Sequence, residues 1–389
     1  MHSKEPVAFF LPLCRNPRLI ARVLRAVFTK HVMAKREYRR GNGYSRIPIQ
    51  QVSIKITNVC NLTCKTCAQW GDTGYNFSRS NAEVKRIVPV ADYVRLTDGL
   101  KKHRPFYYIW GGEPFLYPGL LDLTARIKRN KSVLSLVTNA TLLEEHAREI
   151  VEQSWDVLMF SLDGPEEEHD QIRGRKGTFK KMLRGITAVK KCKRDLKKTV
   201  PYILPLITIS TWNVHKLDEI VKTAGELGVD CVVVYFSWFT DEKVGKAHDR
   251  IFEDRFGITP SSWKGFLFDH NVDTDVLIDS LNLIRQKRYK FPILYIPDLK
   301  DDQLAEYYRN PAEFFGYGPC VSPWMTVELM PNGDVSPCRD YPDYITGNIL
   351  ENPLEEIWNG NRFVTFRRAL IKNGGTFPVC SRCCGLMGW

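Results

Sequence analysis

The chain has 389 residues, enough to bury a large core with a smaller one beside it. Its 43% hydrophobic and 26% charged residues, with no low-complexity tract, exclude a disordered or fibrous protein. Lys and Arg outnumber Asp and Glu by 56 to 44, and the net charge of +12 suits an anionic partner; the lack of a zinc finger, homeodomain or arginine-rich arm argues against nucleic acid in that role.

The first apolar stretch, Val7 to Leu13, is broken by Pro12 and followed by arginines without a small-residue cleavage site, so it does not read as a signal peptide. No stretch reaches the roughly eighteen to twenty apolar residues of a membrane span. From Pro17 to Arg36, Leu19, Ile20, Val23, Leu24, Val27 and Phe28 recur at helical spacing, with Arg18, Arg22, Arg25, Lys30 and Lys35 between them. This predicts a basic amphipathic helix within a segment 1–43. It either packs on the main domain with its basic face in water or lies on an anionic membrane.

After Gly41 to Gly43, apolar runs rich in Val, Ile, Tyr and Phe alternate with helical stretches. Strands are predicted at Gln51 to Thr57, Phe106 to Trp110, Ser132 to Thr138, Asp156 to Leu162, Tyr202 to Thr211 and Cys231 to Phe236. Helices are predicted at Leu120 to Arg129, Leu143 to Gln153, Thr178 to Lys193 and Val214 to Leu227. Repeated strand-helix units imply a parallel sheet. Six of them, over 44–236, predict an α/β fold in the form of a partial (β/α)6 TIM-like barrel with its chemistry at the strand C-terminal ends. Residues 237–318 read as a cap or connecting region with a short strand-like run at Phe291 to Ile296. Residues 319–389 form a compact tail in which Val327 to Met330 and Asp334 to Cys338, separated by Pro331, Asn332 and Gly333, predict a β-hairpin.

Eleven cysteines, most of them in two groups, suit metal binding in a reducing cytoplasm better than a disulfide framework. Cys60, Cys64 and Cys67 fall within eight residues on a loop after the first strand. Soft thiolates favour iron-sulfur clusters or zinc. Structural zinc would normally recruit a fourth Cys or His nearby, and the next histidine is His103. Cys320, Cys338, Cys380, Cys383 and Cys384 form the second group, where a zinc ribbon is the competing reading. Cys14, Cys192 and Cys231 read as ordinary buried or helical cysteines.

The Cys-x3-Cys-x2-Cys loop, Cys60-Asn-Leu-Thr-Cys64-Lys-Thr-Cys67, resembles the radical S-adenosylmethionine superfamily, whose hallmark is this loop after the first strand of a partial barrel. The resemblance implies a 4Fe-4S cluster on Cys60, Cys64 and Cys67, whose open iron chelates S-adenosylmethionine for reductive cleavage to a 5'-deoxyadenosyl radical. Gly111-Gly112-Glu113-Pro114 resembles the family's GGE motif at the methionine amino group. Thr138, Asn139, Ser161 and Asp163 resemble the polar strand ends that reach ribose and methionine carboxylate, and Arg173 could pair with a carboxylate. One departure is Thr66, where many members carry an aromatic residue near adenine; Trp70 is a possible substitute.

The tail resembles the twitch region, the shortened relative of the SPASM domain, which implies one auxiliary 4Fe-4S cluster on Cys320, Cys338, Cys380 and Cys383. Cys384 is then an alternative ligand or a catalytic thiol that donates hydrogen. The implied function is hydrogen abstraction from a carbon of a substrate that is lipid-like, with peptide maturation and sugar or antibiotic oxidation or epimerisation as alternatives. The enzyme class is oxidoreductase, epimerase or C–C or C–S bond-forming. The partners are a reducing donor such as flavodoxin or ferredoxin, the substrate, and a peripheral membrane contact. The reading from a different class is a non-catalytic metal-binding interaction protein.

Overall fold

A computed structural model describes residues 16–387; Val7 to Leu13 and Cys14 lie outside the described residues. The first helix, α1 (Pro17–Phe28), starts at an N-cap in which Asn16 accepts from the Leu19 N–H, with Pro17 in the first turn where no amide is needed. It runs on through Thr29–Ala34 to Lys35–Arg40 and stops at Gly41, whose φ of 73° ends the helix in the left-handed region.

The six predicted strands all form: β1 (Gln51–Lys55), β2 (Phe106–Trp110), β3 (Val133–Thr138), β4 (Val157–Ser161), β5 (Tyr202–Thr208) and β6 (Val232–Tyr235). Each pairs in parallel with the next, and helices such as Leu120–Arg129, Leu143–Glu152 and Thr178–Asp195 make the crossovers. The sheet then extends at both ends. β7 (Ile293–Ile296), from within the stretch expected to be a cap, adds in parallel to β6. β8 (Thr326–Leu329) adds in parallel to β1 and turns into the antiparallel β9 (Asp334–Ser336), which pairs with β10 (Gly347–Asn348). The resulting order, β10-β9-β8-β1-β2-β3-β4-β5-β6-β7, is an open α/β barrel rather than a closed one.

Alternation along the strands separates two layers. Val52, Ile54, Ile109, Leu136, Leu158, Ile207, Val327 and Leu329 join the main core, which also contains the crossover-helix residues Leu123, Ile127, Ile150 and Ile186. The opposite face lines the barrel. Towards β3 to β7 it is apolar, with Val133, Tyr202, Leu204, Cys231, Val233 and Ile296, and Leu19, Ile20 and Val23 of α1 pack among them. Helix α1 thus plugs the strand N-terminal ends, because one of its faces is apolar and the barrel leaves an apolar opening there. Towards β8, β1 and β2 the lining is polar, and Glu328, Ser53 and Tyr108 stand in register across the three strands.

Candidate functional site

The cysteine loop is held at the strand C-terminal ends by backbone contacts that only glycine permits. The amides of Gly112 and Glu113 donate to the carbonyls of Thr57 and Val59, each at 2.8 Å. A Cβ on Gly111 would stand 2.5 Å from the Thr57 carbonyl, and one on Gly112 2.1 Å from that of Val59. Trp70 Nε1 donates to the Asn58 carbonyl at 2.7 Å and Gln69 Nε2 to that of Gly111 at 3.0 Å, pinning both ends of the loop. The Trp70 ring meets Phe77 edge-on at 5.5 Å, so this side chain braces the loop.

Glu113 is completely buried and ties two strand ends together. Its Oε1 accepts from Thr138 Oγ1 at 2.7 Å and the Phe115 amide at 3.2 Å, and its Oε2 accepts from the Asn139 amide at 2.9 Å. Burial pushes its pKa up to about 7 against these bonds. Asn139 Nδ2 donates to Asn61 Oδ1 at 2.8 Å, and Asn61 Nδ2 to Thr141 Oγ1 at 2.9 Å, so the end of β3 reaches into the cysteine loop. Pro114 is buried at the start of a 3-10 turn, and Ser161 ends β4 half-buried.

The structure pairs Arg173 with Asp163 in a buried ion pair, and its Nη1 stands 3.5 Å from the Cys64 sulfur. The nearby Asp163 charge raises the Arg173 pKa above its ordinary value against the cost of burial. Asp163 also accepts from the Thr208 amide at 3.2 Å. The buried ring of His169 accepts from the Asp163 amide through Nδ1, and burial keeps it neutral by pulling its pKa well below 6.5. Gly174 closes this corner: a Cβ there would meet the Thr63 carbonyl at 2.7 Å.

None of the ten described cysteines is joined in a disulfide. Burial raises Cys60 to about 12, and the charges of Cys64 and Cys67 push it the same way, which marks the three as neighbours. In the second group burial dominates again. Cys380 is raised to about 12 with Cys320 beside it, while Cys338 is raised by Asp340, Cys380 and Cys320. Cys383 donates to Asp340 Oδ2 at 3.1 Å and feels Cys338 and Cys380. Cys384 differs: it packs with the barrel lining, and its sulfur accepts from Arg339 Nη2 at 3.1 Å.

Among the described residues no three His, Cys, Asp or Glu side chains converge as they would on one metal ion.

Sequence motifs did not mark the polar wall between the two groups. Lys55, on the lining face of β1, donates to Tyr75 Oη at 3.0 Å and lies 4.8 Å from the Tyr75 ring centroid and 5.9 Å from that of Trp110. Burial pulls its pKa to about 7. Glu328, on β8, is pushed up to about 7 by burial, with Arg339 and Ser53 opposing, and its Oε2 has no hydrogen-bond partner among the described residues. The Arg339 guanidinium lies 5.4 Å from the Tyr108 ring. A single charged residue flanked by apolar ones within a strand, as in Ile54-Lys55-Ile56 and Val327-Glu328-Leu329, was the available signal.

An open barrel with a three-thiol loop at its mouth and a second thiol group gathered from both sides of the adjoining hairpin and the last described turn of the chain defines a cluster-dependent enzyme of the partial-barrel class. Family models agree: the radical SAM superfamily matches residues 54–217 and the SPASM iron-sulfur cluster-binding domain matches 320–384, together more than half of the chain. The chain belongs to the radical S-adenosylmethionine superfamily and carries a SPASM-type domain. Its cofactors are S-adenosylmethionine, the 4Fe-4S cluster that binds it and an auxiliary 4Fe-4S cluster.

The chain is 23% identical over 353 residues to a tungsten-containing aldehyde ferredoxin oxidoreductase cofactor-modifying protein of Pyrococcus furiosus, covering 85% of this chain and 86% of that one. It is 22% identical over 324 residues to AlbA of Bacillus subtilis, an antilisterial bacteriocin subtilosin biosynthesis protein, covering 82% of this chain and 61% of AlbA. Among solved structures it is similar in fold to Streptococcus suis SuiB bound to S-adenosylmethionine, with a TM-score of 0.59, 15% identity, and coverage of 90% and 74% of the two chains. SuiB has also been solved with its precursor peptide SuiA, at a TM-score of 0.57 and 16% identity, with the same coverage.

Proposed function

We propose that Cys60, Cys64 and Cys67 hold the S-adenosylmethionine-binding cluster, that Cys320, Cys338, Cys380 and Cys383 hold the auxiliary one, and that the enzyme abstracts a hydrogen atom from a carbon of a peptide. The observation that carries this reading is the charged wall of Lys55, Glu328 and Arg339 between the two thiol groups, because a chain of amides can satisfy buried charges that an acyl chain would strand. AlbA, a bacteriocin biosynthesis protein, and SuiB, which binds a precursor peptide, support it. The lipid-like substrate expected from the amphipathic N-terminus is the less favoured reading. Helix α1 packs at the strand N-terminal ends, opposite the cysteine loop, and says nothing about what enters the barrel mouth.

When bound, the first cluster supplies the electron that cleaves S-adenosylmethionine and yields the 5'-deoxyadenosyl radical. The residues of this chain do the rest. Gly111 and Gly112 let the backbone approach the cofactor at the mouth, while Thr138, Asn139, Ser161 and the Asp163–Arg173 pair order its polar rim. Glu113 acts from beneath as the tie between strand ends. The plug formed by Leu19, Ile20 and Val23 excludes water from the lower barrel.

Cys384, on the barrel lining, can return hydrogen. Its S–H hydrogen passes to the substrate carbon radical, and the sulfur radical left behind takes an electron from a reducing donor such as flavodoxin or ferredoxin and a proton from solvent. The test is turnover in D2O of the reconstituted enzyme with a peptide encoded beside its own gene. Formation of 5'-deoxyadenosine together with one deuterium in the peptide, lost in Cys384→Ala, is the expected result. A peptide left unchanged in mass while 5'-deoxyadenosine still forms would overturn the peptide assignment. A protein that never cleaves the cofactor would instead be a metal-binding interaction protein.

A further inference from the structure

A cavity of about 280 Å3 lies at the end of the barrel opposite the cysteine loop, between α1 and the loop leading into β2. Arg22, Arg25, Lys102, His103 and Arg104 line it together with Gln50, and no acidic residue among the described residues does. Arg22 is fixed in place: Nη1 donates to the Lys131 carbonyl at 2.8 Å, Nη2 to the Arg104 carbonyl, and the guanidinium lies 5.3 Å from the Phe106 ring. Burial lowers its pKa, and Arg104 and Arg25 add to that pull while Asp156 opposes it. Four cations and a histidine around one hollow leave positive charge that an anion would neutralise.

An independent feature occupies the same helix. Its outward face carries Leu24, 52% exposed, Val27, and Phe28, 56% exposed, and Val32 and Met33 continue the exposed apolar surface. Leu24, Val27 and Phe28 follow the i, i+3, i+4 spacing of one helical face, while Arg18, Arg22 and Arg25 follow i, i+4, i+7 on the flank towards the cavity. The apolar stripe of α1 is therefore divided along its length: Leu19, Ile20 and Val23 fill the barrel, and Leu24, Val27 and Phe28 continue the stripe into solvent. No helix among the described residues is long and apolar enough to cross a membrane.

We propose that this end of the barrel docks peripherally on an anionic phospholipid bilayer, with a headgroup phosphate in the cavity of Arg22, Arg25, Lys102 and Arg104 and with Leu24, Val27 and Phe28 inserted at the interface. A soluble phosphate or an acidic protein segment would use the cavity and leave the apolar face in water. A bilayer uses both, which is why it is the occupant that fits. Docking in this way turns the strand C-terminal ends away from the membrane, so the substrate reaches the cysteine loop from the aqueous side, whatever that substrate is.

The test is flotation of the reconstituted full-length enzyme with phosphatidylcholine vesicles, with and without phosphatidylglycerol. Binding is expected only to the anionic vesicles and is expected to weaken as salt is added. Arg25→Glu with Lys102→Glu should weaken it at least tenfold, and Val27→Asp with Phe28→Asp should do the same. Both variants should still cleave S-adenosylmethionine, which shows that they fold. Failure to bind, equal binding to pure phosphatidylcholine, or indifference to either variant overturns the proposal. Competition by inorganic phosphate or glycerol phosphate at equal concentration, with Val27→Asp and Phe28→Asp silent, would make the ligand a soluble anion and also overturn it.

Discussion

Gly112 illustrates how one missing side chain can set a metal site. A methyl group there would sit 2.1 Å from the Val59 carbonyl, one residue before Cys60. Gly112→Ala should therefore cost about 3 kcal/mol through forced displacement of backbone. It should also cut the iron of the reconstituted protein from about eight to about four per chain, since only the first site is disturbed; iron analysis checks this. Glu328 makes a prediction with a sign. Its carboxyl has an ordinary pKa of 4.5 and rises to about 7 in the fold, so between those values the folded chain keeps a proton that the unfolded chain has lost. Stability conferred by the neutral acid is complete below pH 4.5 and declines as the pH rises to 7. Glu328→Gln should therefore raise the denaturation midpoint above pH 7 and leave it nearly unchanged near pH 4.5. Cys60, Gly111 and Asn139 were legible in sequence because their spacing is local. Lys55 and Glu328 were not, because only the pairing of β1 with β8, some 270 residues apart in number, brings them to one wall.

At the level of elements, the six strands from β1 to β6 and the hairpin of β8 and β9 were legible, since each is a run of β-branched and aromatic residues closed by turn residues. β7 read only as a strand-like run inside a cap, because four residues between Pro292 and Pro297 carry no period of their own and become sheet by pairing with β6. Helix α1 shows the same limit. Its amphipathic period is plain, yet the sequence left open whether the apolar face met protein or membrane, and the structure packs the first part of that face and exposes the rest. Leu19, 4% exposed, is the deepest point of the packed face. Leu19→Ala should loosen the plug by about 2 kcal/mol. Hydrogen exchange should then accelerate by about thirtyfold in α1, as that energy dictates at 1.36 kcal/mol per tenfold, while the loop around Cys64 stays protected.

For the molecule as a whole, the two thiol groups should be separable in chemistry. Replacing Cys60, Cys64 and Cys67 with Ala should abolish cleavage of S-adenosylmethionine. Cys380→Ala should leave cleavage intact, remove about half of the iron and block product formation; assays of 5'-deoxyadenosine and of product in parallel distinguish the two. The hairpin that carries Cys338 is also hydrogen-bonded to the first strand of the catalytic barrel, in unbroken register from Gln51 to Ile54. The auxiliary domain is thus no pendant module. Removing it would strip one side of β1 and leave a bare strand edge of the kind that recruits other chains. Evolution can therefore trade loops and cysteines within this tail, but it cannot discard the tail without exposing a sticky seam beside the active site.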